Sequence, residues 1–80
     1  ITKEKLRKIE EAEDFIRKLG FEQVRVRYHG SMARIEISEK DISKVLKFRK
    51  KILKKLKNNF AYVALDLEGY RSGSMDEVLR

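Results

Sequence analysis

The sequence predicts an α+β fold: a two-layer sandwich in the order α-β-β-α-β, with a three-stranded sheet carrying two helices on one face. Three observations predict it. Residues 24–37 alternate apolar and polar on both sides of Gly30-Ser31, the signal of half-buried strands. Apolar residues recur at three- and four-residue spacing before that stretch and again after it, the signal of amphipathic helices. A further alternating run follows from Phe60 to about Leu67.

The first helix opens after Thr2, a side chain suited to capping. Leu6, Ile9, Ala12, Phe15, Ile16 and Leu19 form its apolar stripe. Gly20 suits the left-handed position just past a helix end, and Phe21 the apolar contact after it. The other face mixes Lys3, Lys5, Arg7 and Lys8 with Glu4, Glu10, Glu11 and Glu13, and reads as a solvated surface with i,i+4 pairs.

The hairpin register follows from a type II′ turn at Gly30-Ser31. Val24 then faces Ile37, Arg25 faces Glu36, Val26 faces Ile35, Arg27 faces Arg34, Tyr28 faces Ala33 and His29 faces Met32. One face is apolar: Val24, Val26, Tyr28, Ala33, Ile35 and Ile37. The other carries Arg25, Arg27, Arg34 and Glu36. A slip of one residue would scramble both faces, so the register is well specified. It places Arg27 across from Arg34, a destabilising like-charge pair. Such a pair either splays into water or holds an anion.

Ser38, with Asp41 three residues on, reads as the capping box of a second helix. Ile42, Val45, Leu46, Ile52, Leu53 and Leu56 are its apolar side, and it stops at Asn58-Asn59. Its polar side is Lys44, Lys47, Arg49, Lys50, Lys51, Lys54, Lys55 and Lys57. Such a face is most often simply solvated. In the last strand Ala61, Val63, Leu65 and Leu67 point to the core, and Tyr62, Ala64, Asp66 and Glu68 point away. Asp66 and Glu68 then border the arginines. The pattern leaves open which hairpin strand this third strand joins. In the tail, Ser74 and Glu77 suit the capping box of a short helix, and Gly73-Ser74 before it is a weak oxyanion-site signal.

Composition bounds the function. Eighty residues make one domain, near the lower limit for an independent core. Charged and hydrophobic residues each make up 41%, which is globular rather than disordered. The net charge of +7 favours an anionic partner, although much of it lies on the second helix. The chain has no cysteine, which excludes disulfides and cysteine chemistry within it and suits a cytoplasmic setting. It has no apolar run near membrane-spanning length and no metal-ligand cluster. It begins at Ile1 rather than methionine, which points to a piece of a longer protein.

No catalytic constellation stands out. His29 has no carboxylate orienter in the sequence, so a structural role is favoured over a catalytic one. Ser72-Gly73-Ser74-Met75-Asp76 imitates a pyrophosphate loop only faintly, and is read as coincidence. What remains is the polar hairpin face. Guanidiniums present forked donors matched to phosphate or carboxylate, and Glu36 could orient Arg25. The competing reading is an exposed charge ladder of little energetic weight.

The blocks Val24-Arg25-Val26-Arg27-Tyr28-His29-Gly30, Ala33-Arg34-Ile35-Glu36 and Leu65-Asp66-Leu67-Glu68-Gly69-Tyr70-Arg71-Ser72-Gly73-Ser74-Met75 occur in this order. Together with Ile9-Glu10-Glu11-Ala12-Glu13 and Leu19-Gly20-Phe21, they resemble the C-terminal region of the LarE-type ATP-dependent sacrificial sulfur transferases. These belong to the PP-loop ATP pyrophosphatase superfamily. The resemblance implies a parent enzyme that adenylylates a carboxylate of a pyridinium dicarboxylate mononucleotide. A sulfur donor, often a cysteine of the enzyme itself, then converts it to a thiocarboxylate for the nickel-pincer cofactor.

It further implies that residues 1–80 are a single C-terminal domain with no cofactor of its own. ATP and Mg would belong to an N-terminal PP-loop domain, its partner in the same protein. Arg25 and Arg27 carry over as phosphate or substrate ligands, Glu36 as a supporting catalytic group, and Arg71 as a further ligand candidate. Arg34 joins them from the face itself. The expected partners are an anionic nucleotide-like substrate and other copies of the protein, not a membrane or nucleic acid. The alternatives are a free-standing basic RNA-binding module and a structural oligomerisation domain. Against the first, the open face lacks a row of stacking aromatics.

Overall fold

A computed structural model describes residues 2–71. The tail capping box of Ser74 and Glu77, the Gly73-Ser74 signal and the Ser72–Asp76 loop lie outside the described residues. The elements are α1 (Lys3–Lys18), β1 (Val24–His29), β2 (Met32–Ile37), α2 (Ile42–Val45), α3 (Arg49–Leu56) and β3 (Tyr62–Leu65). This is the α+β sandwich expected, and β1 and β2 pair in the predicted register at all six positions. Gly30 has φ +58° and Ser31 a negative φ, as a II′ turn requires.

The sheet order is β1-β2-β3, with β3 parallel to β2. Parallel strands need a long crossover, and the helical segment between β2 and β3 supplies it. Helices α1 and α3 cover the apolar face. Ala12 and Ile16 of α1, Phe21, Val24 and Val26 of β1, Ala33, Ile35 and Ile37 of β2, Ile52 and Leu56 of α3, and Phe60 form one buried cluster. Tyr28 is half-buried and meets Phe60 edge to face, with ring centres 4.9 Å apart. Leu6, expected in the α1 stripe, is 45% exposed because it lies near the helix start, beyond most of the sheet's cover.

Thr2 caps α1 as expected, its Oγ1 accepting the Lys5 N–H. Gly20 has φ +107° and Phe21 is fully buried, as the helix-end reading requires. The second helix differs from expectation. It is broken into 3₁₀ turns at Glu39–Asp41 and Leu46–Phe48 on either side of α2, and it ends at Leu56 rather than at the asparagines. Ser38 makes no side-chain cap; its backbone carbonyl accepts the Asp41 N–H instead. The tighter turn at Leu46–Phe48 changes the angular phase of the helix. There Phe48 meets Phe21 edge to face at 5.9 Å, while Leu46 is left 74% exposed.

The third strand is shorter than the alternation suggests. It stops at Leu65, because Asp66 Oδ1 accepts the Glu68 N–H and the Asp66 carbonyl accepts that of Gly69, which turns the chain. Leu67, expected in the core, is therefore 78% exposed. Ala61 is exposed too, since it precedes the strand. Glu13, read as a solvated residue, has a fold role: its Oε2 accepts the Val26 N–H at 3.0 Å on the open edge of β1. A carboxylate on an edge donor blunts that edge against pairing. No helix among the described residues is long and apolar enough to cross a membrane.

Candidate functional site

Strand alternation sends Arg25 and Arg27 of β1, and Arg34 and Glu36 of β2, to the face away from the helices. The turn after β3 adds Asp66 and Arg71 to the same face. The structure thus gathers the residues singled out from the sequence, but it connects them differently from the expected arrangement.

Glu36 is fully buried. Its Oε2 accepts from Arg34 Nη2 at 2.8 Å, and its Oε1 faces Arg27 Nε at 3.4 Å. The expectation that Glu36 orients Arg25 is replaced by this geometry. Arg25 is directly across from Glu36 in the ladder, but the twist of the hairpin favours the diagonal contact to Arg27. The same contacts explain the like-charge opposition of Arg27 and Arg34. One carboxylate of the fold lies between them and offsets part of their repulsion, which lets the two stand opposite each other while the trio keeps a net positive charge. The ladder is not the exposed one of the competing reading, because both guanidiniums are mostly covered.

The network continues across the sheet. Arg34 Nε lies 3.8 Å from Asp66 Oδ2, and Arg71 Nη1 lies 3.6 Å from the same oxygen. Arg71 also donates to the Gly69 carbonyl at 3.2 Å. Asp66 therefore joins the face as expected, whereas Glu68 is exposed in the turn beyond it.

Arg25 stands apart. Its Nη1 donates to the Val24 carbonyl at 3.0 Å, and its guanidinium lies 5.4 Å from the centre of the Tyr70 ring. Among the described residues it has no carboxylate partner, and it is exposed. Among the described residues, four guanidiniums share this face with two carboxylates, which leaves a net positive charge on them, with Arg25 the one not set against a carboxylate. Sequence reasoning did not single out Tyr70; its only signal was its place beside Arg71 in the Gly69-Tyr70-Arg71 block. His29 is half-buried, with Nε2 shielded from solvent and without a hydrogen-bond partner among the described residues.

No family model matches the chain. Individual proteins do. Pyridinium-3,5-bisthiocarboxylic acid mononucleotide synthase of Lactiplantibacillus plantarum is 41% identical over 80 residues, which is 99% of this chain and 29% of that protein. An uncharacterised protein of Synechocystis is 42% identical over 82 residues, or 99% of this chain and 31% of its own length. Another from Methanocaldococcus jannaschii is 44% identical over 73 residues, or 90% of this chain and 29% of its own length. The chain thus spans about three tenths of the length of the curated relatives it matches. The resemblance read from the arginine, glutamate and Gly-Tyr-Arg blocks is borne out: nearly the whole chain is similar to a part of this mononucleotide synthase.

Proposed function

We propose that residues 1–80 are the C-terminal, anion-binding portion of an ATP-dependent sulfur transferase that makes a thiocarboxylate from a pyridinium dicarboxylate mononucleotide. The observation that carries the anion-binding role is Arg25, which among the described residues is exposed, has no carboxylate partner and stands on a face where guanidiniums outnumber carboxylates. The similarity to the mononucleotide synthase supports the reaction class.

In this reading the portion is not an enzyme by itself. The PP-loop domain, in the rest of the protein, holds ATP and Mg and carries out the adenylylation. Both carboxylates of the arginine face are engaged by guanidiniums, and no group of three or more metal-ligating side chains gathers among the described residues. In this reading the magnesium ion is held with ATP in the PP-loop domain. Arg25 and the outer edge of Arg27 bind the substrate's phosphate or carboxylate. Arg34 and Arg71 complete the positive face, and Glu36 keeps Arg27 and Arg34 in place. A cytoplasmic setting and self-association belong to the same reading.

The test is titration of the full-length protein with inorganic phosphate and with a pyridinium mononucleotide. Arg25→Ala is expected to weaken binding about tenfold or more, the scale of a lost hydrogen bond to a charged group. Arg27→Ala is expected to act in the same direction. Unchanged binding and turnover in both variants would refute the site.

The basic helix favours a second reading, RNA binding. Lys47, Lys50, Lys51 and Lys54 are exposed and have no carboxylate partner among the described residues. Binding of a generic RNA that weakens steeply with salt, and is lost in a Lys50→Glu/Lys54→Glu variant, supports it; no binding at low salt removes it.

A further inference from the structure

We infer that Tyr70 is a positioning residue for Arg25, delivered to the arginine face by a strap formed by Gly69, Tyr70 and Arg71. The inference rests on the anion-binding reading above and extends it to a residue outside the arginine and glutamate set.

The strap is built into the fold. After β3 the chain turns back toward the C-terminal end of β2, where the Tyr70 N–H donates to the Ile37 carbonyl at 2.7 Å. Gly69 makes this approach possible. Its φ is +85°, and a Cβ there would lie 3.0 Å from the Ile37 carbonyl oxygen and 3.3 Å from the Glu39 nitrogen. Arg71 closes the strap on Asp66. Tyr70 is therefore held at both flanks, and its ring comes to rest beside the guanidinium of Arg25 on β1.

This way of holding an arginine has a chemical consequence. Arg27, Arg34 and Arg71 are each set against a carboxylate, which engages some of their donors and offsets part of their charge. The negative face of an aromatic ring attracts the cation without taking a proton donor or adding a formal charge. The N–H donors of a guanidinium lie in its own plane, five in all. In Arg25 one of them donates to the Val24 carbonyl. Arg25 thus remains a full positive charge with a usable fork, directed by Tyr70 and Val24. An oxyanion that presents two oxygens, such as a phosphate, matches that fork.

Titration of the full-length protein with inorganic phosphate, followed by calorimetry and by the Nε–H resonance of Arg25, tests the inference. Tyr70→Leu is expected to weaken phosphate binding about two- to fivefold, the scale of an exposed cation–π contact. The KM for substrate should rise by a similar factor with kcat unchanged. Tyr70→Phe keeps the ring face and should bind as the wild type does.

A second readout needs no variant at that position. In the wild type, the side-chain resonances of Arg25 should carry an aromatic ring-current shift; its absence would overturn the inference. So would a Phe variant as weak as the Leu variant, or a Leu variant with wild-type affinity. If Arg25→Ala is weak while Tyr70→Leu is normal, the positioning role falls and the anion-binding reading stands. If Arg25→Ala is also normal, both fall.

Discussion

Arg34 and Glu36 lie two residues apart on β2, and Arg34 Nη2 donates to Glu36 Oε2 at 2.8 Å while the carboxylate is fully buried. Residues i and i+2 share a strand face, so the pair is local in sequence, but its burial depends on Arg27 from β1 and on the turn after β3. A buried carboxylate between two guanidiniums should make a much larger energetic difference than any surface pair on α1.

That contrast gives the first prediction. Glu36→Ala leaves Arg27 and Arg34 opposed with nothing between them, and should lower unfolding stability by about 3 kcal/mol. Arg34→Ala leaves the buried carboxylate short of a partner and should cost a similar amount. Arg25→Ala, at an exposed position, should stay within about 0.5 kcal/mol of the wild type. Urea denaturation measures all three. A Glu36→Ala midpoint equal to that of the wild type would show that the network does not stabilise the fold.

Gly69 sits at φ +85° against the Ile37 carbonyl. Gly69→Ala forces a Cβ into that contact and into an unfavourable backbone region, and should cost about 2 kcal/mol. Thermal unfolding would show it. Gly30→Ala shares the positive φ but meets no atom within 4 Å, so it should cost less. The reverse order would refute the close-approach argument.

Acid sensitivity has an identifiable contributor. Lys55 Nζ lies 3.1 Å from Glu11 Oε1, tying α3 to α1. The hydrogen bond and charge of Lys55, with help from Arg7, hold the Glu11 carboxyl below its ordinary value of 4.5. A lowered folded-state pKa contributes stability above the unfolded value, which is lost as pH falls through the folded one. The melting temperature should therefore decline as pH drops below about 4.5. Glu11→Gln should decline less steeply across that window, and parallel curves would exclude the contribution.

The edge of β1 can be tested by hydrogen exchange. Glu13 Oε2 is the acceptor of the Val26 N–H. Glu13→Ala removes it and should speed exchange of that amide about tenfold, the scale of one lost charged hydrogen bond. Amides of β2, inside the sheet, should change little. A Val26 amide with unaltered protection would show that something else covers the edge.

Much of this molecule follows from short-range pattern. The hairpin register, the positive φ of Gly30, the end of α1 at Gly20 and the face carrying Arg25, Arg27, Arg34 and Glu36 all rest on period-two and period-3.6 spacing with turn chemistry. These are local rules, read from residues a few positions apart. The pattern misled where a local hydrogen bond competed with it. The Asp66 turn ended β3 early and left Leu67 in solvent, and the 3₁₀ turn at Leu46–Phe48 broke the second helix.

By itself, then, the sequence determined which side chains share a face. The tertiary structure decided which of them touch. It set β3 beside β2, buried Glu36 between Arg27 and Arg34, brought Asp66 and Arg71 into the network, and laid Tyr70 against Arg25. The physical reason is that each of these contacts joins segments separated along the chain, or depends on one that does. Their partners are chosen by strand order, twist and the path of the Gly69 strap, none of which is encoded in the spacing of neighbouring residues.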